Sequence, residues 1–274
     1  MLAGEYSVLM DKPALAAAVN LKLQADFFPP PPSIKATRAS GVVVDSQLWS
    51  RPERVFATDT PSKQPLLAAV QAAMALHPQV SGKLTVDGKL QPQYGLGSSS
   101  ALRLAVALAL NPKTAALTPD KSAGQDHIWE AGTTAWEWQS HSQGQASGYD
   151  IATQCHGGVV EFCKAGTASL REATRDAGGG VARDFFDRYV RVYVGGKGAA
   201  TGKVTASTLQ WLQQSEERLA RLHEINEHLV ATFLRCWQSP DGDRALPFGD
   251  LADGFAAHSQ LFRQSESYPR TIMD

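Results

Sequence analysis

Cysteine is scarce in this sequence: Cys155, Cys163 and Cys236 are the three in 274 residues. An odd number at wide spacing excludes a disulfide scaffold and fits a reducing compartment. No Cys-x-x-Cys pair or His/Cys cluster at zinc spacing occurs, so a structural zinc site is not expected. An excess of either charge is also missing, with 26 Lys+Arg against 27 Asp+Glu and a formal net charge of −1. That balance argues against nucleic acid or an anionic membrane as partner, although a small basic pocket would not register in the sum. Long apolar runs are absent too. The stretch Ala14 to Val19 is far too short to span a bilayer, and the first residues lack the basic and apolar regions of a signal peptide. A cytoplasmic protein is expected.

What is present is an ordinary globular mixture, 43% hydrophobic and 19% charged, long enough for one large domain or two compact ones. Met1 to Met10 reads as the end of a buried strand, and Pro13 to Val19 as a strand or short helix. Phe27 to Pro32 must be extended, because proline fixes φ and restricts its predecessor. Gln64 to Leu76 has helical spacing, and Gly82 to Leu90 alternates around Asp87-Gly88, a hairpin signal. Ala101 to Leu110 reads as a buried helix and Ile128 to Ser142 as a second. Val159 to Phe162 and Tyr189 to Val194 are expected strands. Ala206 to Leu234 and Leu246 to Arg263 are expected helices. Glycine and polar residues concentrate between Phe162 and Phe186, which places a domain boundary there.

Four constellations carry chemistry. Gly95-Leu96-Gly97-Ser98-Ser99-Ser100 opens the helix from Ala101. A helix start has unsatisfied N–H groups and the positive end of the dipole. Glycine lets backbone curl around an anion, and serine can cap the helix, bind phosphate or ligate Mg²⁺. The Walker spacing and its lysine are absent. Read alone, the loop serves equally well as a helix cap. Ser147-Gly148-Tyr149-Asp150 puts a carboxylate at the end of a glycine-rich turn. Such a group can accept a hydroxyl proton or orient an acceptor, or simply cap a helix. Leu2 to Leu9 holds Glu5, able to hold a substrate hydroxyl. Gly195 to Thr208 brings Lys197 and a cap, Ser207 or Thr208, toward an anion.

In this order the four pieces resemble the GHMP kinases (galactokinase, homoserine, mevalonate and phosphomevalonate kinases). Leu2 to Leu9 with Pro13-Ala14-Leu15 is similar to their first motif. Tyr94 to Ala101 is similar to the signature phosphate loop, and Ser147 to Asp150 with Gly157-Gly158 to the acidic segment. Gly195 to Thr208 resembles phosphomevalonate kinases most. The resemblance implies an α+β, two-domain fold: a ribosomal protein S5 domain 2-like ATP-binding domain over 1–170 and a ferredoxin-like domain over 171–274. It implies ATP and Mg²⁺ as cofactors, with phosphoryl transfer to phosphomevalonate or a similar small acid of isoprenoid precursor synthesis. Mevalonate, a sugar or an amino acid are alternative acceptors, and a non-catalytic nucleotide-binding protein is a further alternative.

By position, the resemblance assigns Gly95, Leu96, Gly97, Ser98, Ser99 and Ser100 to the nucleotide and Ser99 to the metal. Asp150 and Ser99 become the catalytic pair. Glu5, Ser147, Gly148, Ser207, Thr208 and Lys197 go to a phosphorylated or carboxylate substrate, and a homodimer is the expected assembly. The chain departs from the family pattern where a Mg²⁺-holding glutamate is expected eleven positions before the acidic residue. That place is Gln139, with Glu137 nearby. The family's Pro-Gly-Lys start and C-terminal glycine-rich motif are also not found between Met1 and Asp274, which fits either truncation or loss of catalytic parts.

Overall fold

A computed structural model describes residues 1–31, 41–46, 52–56, 58–60, 62–90, 95–111, 124–143, 146–190, 201–238 and 247–265. The chain divides into two compact units, residues 20–146 and residues 1–19 with 147–274. This division differs from the expected cut near residue 170. The reason is pairing: a strand near the start of the chain hydrogen-bonds one near residue 160, so the first residues join the C-terminal part.

Among the described residues, the unit of residues 20–146 is built on four strands, β2 (Leu23–Phe28), β3 (Val42–Ser46), β4 (Glu53–Val55) and β5 (Gly82–Gly88), in the order β2-β5-β3-β4. β5 runs antiparallel to β2 and parallel to β3. Strand period two puts Val42, Val44, Leu84 and Val86 on one buried face. Among the described residues, three helices belong to this unit, α1 (Pro65–Leu76), α2 (Ser98–Leu110) and α3 (Gly124–Gln143). α1 starts at a proline, whose missing N–H costs nothing in a first turn. Its Leu66, Val70 and Met74 meet Leu102, Val106 and Leu110 of α2 in one apolar core with the sheet. The expected hairpin at Asp87-Gly88 does not form. Both residues continue β5, paired with Gln24 and Leu23 of β2, so the ladder holds the chain straight where the dipeptide alone signals a reversal.

The other unit holds a sheet in the order β1-β6-β7, from β1 (Ala14–Ala17), β6 (Val159–Phe162) and β7 (Thr174–Asp176). Its helices are α4 (Tyr149–His156), α5 (Gly179–Tyr189), α6 (Thr201–Gln213), α7 (Glu216–Gln238) and α8 (Phe248–Phe262). Of the ferredoxin-like region expected after residue 171, the described residues contribute β7 and these last four helices. Leu222, Leu229, Phe233 and Trp237 of α7 form one core with Leu212, Ala182, Phe185 and Phe262. The long helical pattern is two helices. Ser215 separates them, and its Oγ accepts the Arg218 N–H at 3.3 Å as an N-cap. Glu216 and Glu217 then suit the positive end of the dipole.

Two further expectations change. Tyr189 ends α5, because Phe185 and Tyr189 share a helix face and pack together with ring centroids 5.3 Å apart. Val190 is extended, and 191–194 lie outside the described residues. Met1 to Met10 is not a strand end but a single bridge, Ala3 to Leu15, and a 3₁₀ turn over Ser7–Met10. The bridge forces Gly4 against β1 at φ +95°, where an added Cβ would stand 2.5 Å from the Ala14 Cα. Only glycine fits there. Gly4→Ala is expected to lower stability by about 2–4 kcal/mol through strain and backbone overlap. Urea unfolding followed by circular dichroism would read this, and an unchanged midpoint would show that the turn yields freely.

Candidate functional site

In the unit of residues 20–146, Gly95 and Gly97 adopt left-handed φ of +65° and +73°. Gly97 is the N-cap of α2, and its O accepts the first helical bond from the Ala101 N–H at 2.9 Å. No side chain caps this helix start. A Cβ at Gly95 would meet nothing within 4 Å, so the loop borders open space. Ser98 and Ser99 are half-buried and Ser100 is buried. The alanine- and leucine-rich sequence behind favours helix strongly, so α2 begins directly after the glycines. This geometry suits an anion such as a phosphate.

Arg103, one turn into α2, is a residue that the motif reading missed. It is 8% exposed. Its Nη1 donates to the Ser99 O at 3.2 Å and also to the Ser99 Oγ. Its Nη2 donates to the Ser142 Oγ of α3 at 3.0 Å, and that hydroxyl donates to the Gln139 O at 3.0 Å. One guanidinium therefore ties the loop serine to α3. The available signal was a single arginine inside an apolar helix, since buried arginines are almost always paired. The arrangement bears on the metal expected at Ser99. A guanidinium hydrogen-bonded to the Ser99 hydroxyl sets a positive charge beside the group expected to meet the metal, and Gln139 brings no charge to offset it. Among the described residues no cluster of three or more His, Cys, Asp or Glu side chains forms a metal site.

The second unit gathers acidic groups. Gly148, at φ +85°, is the N-cap of α4, so Asp150 stands in that helix's first turn rather than at its cap. Its Oδ1 accepts the Ile151 N–H at 3.0 Å. Tyr149 has its phenol raised well above its ordinary range, first by burial and then by the charges of Asp150 and Glu5. Glu5 and Asp150, 145 positions apart in the chain by their numbers, thus act on one phenol. Glu5 keeps solvent contact, yet desolvation by surrounding protein raises its carboxyl above the usual glutamate range, opposed by the N-terminal amine. Ser147 is half-buried and Gly148 buried.

Ser207 and Thr208 lie inside α6, which begins at Thr201, so neither caps a helix. Thr208 is fully buried, with Tyr6 as its hydroxyl neighbour, while Ser207 is half-buried. Lys197 lies outside the described residues. No described helix is long and apolar enough to cross a membrane.

Residues 66–158 match the family described as the GHMP kinases N terminal domain. Curated protein sequences give no significant match. Among solved structures, the mevalonate kinase of Methanococcus jannaschii is similar over 98% of this chain and 78% of its own, at 14% identity and a TM-score of 0.63. The Lin0012 protein of Listeria innocua is similar over 96% and 76%, at 17% identity and a TM-score of 0.60. The phosphomevalonate kinase of Streptococcus pneumoniae follows over 96% and 76%, at 15% identity and a TM-score of 0.51. At these identities the likeness is one of fold. Residues 66–158, which hold the glycine–serine loop and Asp150, thus match the GHMP kinases N terminal domain, and the chain shares the fold of these solved structures.

Proposed function

We propose that the chain is an ATP-dependent small-molecule kinase passing the γ-phosphoryl group to a small acid, with phosphomevalonate the first acceptor to test. The observation that carries this is the open glycine–serine loop at the start of α2, inside the segment matching the family. Gly95 to Ser100 would hold the polyphosphate through backbone N–H groups and hydroxyls. ATP supplies the phosphoryl group, and the protein's task is alignment and charge neutralisation. Asp150 would take the proton of a hydroxyl acceptor such as mevalonate, or orient a phosphate acceptor that has no such proton to give. Glu5, Ser147 and Gly148 would lie beside the acceptor, with Ser207 and Lys197 near its anionic group. Thr208, turned into the core, is dropped from that set. No step is assigned to a metal at Ser99.

A second reading, a nucleotide-binding protein without turnover, draws on the Arg103 hydrogen bonds to Ser99. Phosphoryl transfer assays with phosphomevalonate, mevalonate, homoserine and sugars separate the two. Turnover with any of them supports a kinase. Thermal stabilisation by ATP without turnover selects the binding protein.

Two substitutions test the roles. Asp150→Asn is expected to lower kcat by about a hundredfold or more while ATP affinity stays within about twofold; equal loss of both would assign Asp150 a structural role. Arg103→Met removes the tie between α2 and α3. It should weaken ATP binding by about tenfold, the equivalent of ~1.4 kcal/mol. Calorimetric titration reads it, and unchanged affinity would separate Arg103 from the loop's function.

A further inference from the structure

The turn that presents Glu5 is held from a distance by one side chain. Gly4 sits at φ +95° and Tyr6 at φ +62°. A positive φ in tyrosine is strained and persists only where surroundings over-determine it. Gly4, Tyr6 and Ser7 are buried, and Glu5 alone of the four projects outward. Asn226 of α7, 2% exposed, supplies the constraint. Its Oδ1 accepts the Gly4 N–H at 3.3 Å. Its Nδ2 donates to the Glu5 O at 3.2 Å and to the Ser7 Oγ at 2.7 Å. Both amide protons and the amide oxygen of Asn226 are thus spent on residues on either side of, and including, Glu5. His223, one turn earlier on α7, meets the Ser7 Oγ through Nδ1 at 3.1 Å.

Beside the turn lies a cavity of about 200 Å³, bordered by Gly4, Glu5, Asn226, Leu229, Phe255 and His258. A turn released from Asn226 has space to relax into it. We propose that Asn226 is the positioning residue of this turn, its carboxamide setting where the Glu5 carboxyl stands. That this matters for phosphoryl transfer rests on the reading of Glu5 as a group beside the acceptor.

The titratable groups facing Glu5 are Tyr149 and Asp150 of α4, Tyr6 and the N-terminal amine, with His258 of α8 across the cavity. A Glu5 carboxyl displaced by loss of Asn226 changes its distance to all of them, so its titration reports its position without any turnover. In the full chain, ¹³C NMR titration of Glu5 should place wild type above the ordinary glutamate range. In Asn226→Ala the value should move toward that range, while Leu222→Ala, a buried substitution one turn away on the same helix, destabilises without moving it. Asn226→Ala should also raise KM for phosphomevalonate or mevalonate tenfold or more and leave ATP affinity within about twofold. In a Glu5→Gln background it should add nothing further.

An unmoved Glu5 titration in folded Asn226→Ala, or additive losses in the double variant, would overturn the proposal. Should Asn226→Ala not fold, Asn226→Leu keeps about the same side-chain volume, adds no charge and loses both donors and the acceptor, and the same readouts apply. If the titration moves while neither Glu5→Gln nor Asn226→Ala alters acceptor KM, Asn226 positions Glu5 and the substrate role of Glu5 is what fails.

Discussion

The antiparallel pairing of β1 with β6 is the constraint on which the rest of this molecule depends. Ala14 to Ala17 lie opposite Phe162 to Val159, residue for residue. Buried backbone N–H and C=O groups must find partners. Within residues 1–19, Leu15 of β1 finds them at Leu2 and Ala3 on one side. On the other side, β1 pairs with a strand nearly 150 positions later by number. That pairing brings the turn before β1 and the helix before β6 into one unit. Glu5 stands on the first and Asp150 on the second, so both carboxylates bear on Tyr149. The acidic cluster is a consequence of strand register, with no local sequence link between its members.

Two side chains then convert loops into defined objects. Arg103 binds the loop at Ser99 to α3 through Ser142. Asn226 binds the turn at Gly4 to Ser7 to α7. Both are buried and spend their donors on backbone and hydroxyl groups, which a polar side chain in a core must do. Each is also placed to act on a neighbouring residue rather than on a ligand. Arg103 bears most directly on the phosphate loop, because it sets a guanidinium beside the Ser99 hydroxyl.

The fold was legible wherever the signal was periodic and local. Leu66, Val70 and Met74 at helical spacing, the alanine–leucine run after Ser100, and the apolar run Val159 to Phe162 all formed the elements that their patterns imply. Failures came where a long-range partner outweighed a local preference. Asp87-Gly88 carries a hairpin signal, yet β2 holds both residues in the ladder. Tyr189 begins an alternating run, yet its ring packs on Phe185 and closes a helix. Ser207 and Thr208 have cap chemistry, but α6 starts at Thr201.

The glycine–serine loop and the apolar helix behind it were determined by sequence alone. Left-handed glycine, helix propensity and the order of turn before helix act within a few residues and need no tertiary partner. The tie from Arg103 to α3 and the orientation of Glu5 were decided only by tertiary structure. They depend on hydrogen bonds from Arg103 to Ser142, 39 positions apart, and from Gly4 to Asn226, 222 positions apart. Contacts at that separation arise from strand pairing and helix packing, and no local pattern in the chain encodes which residues they will join.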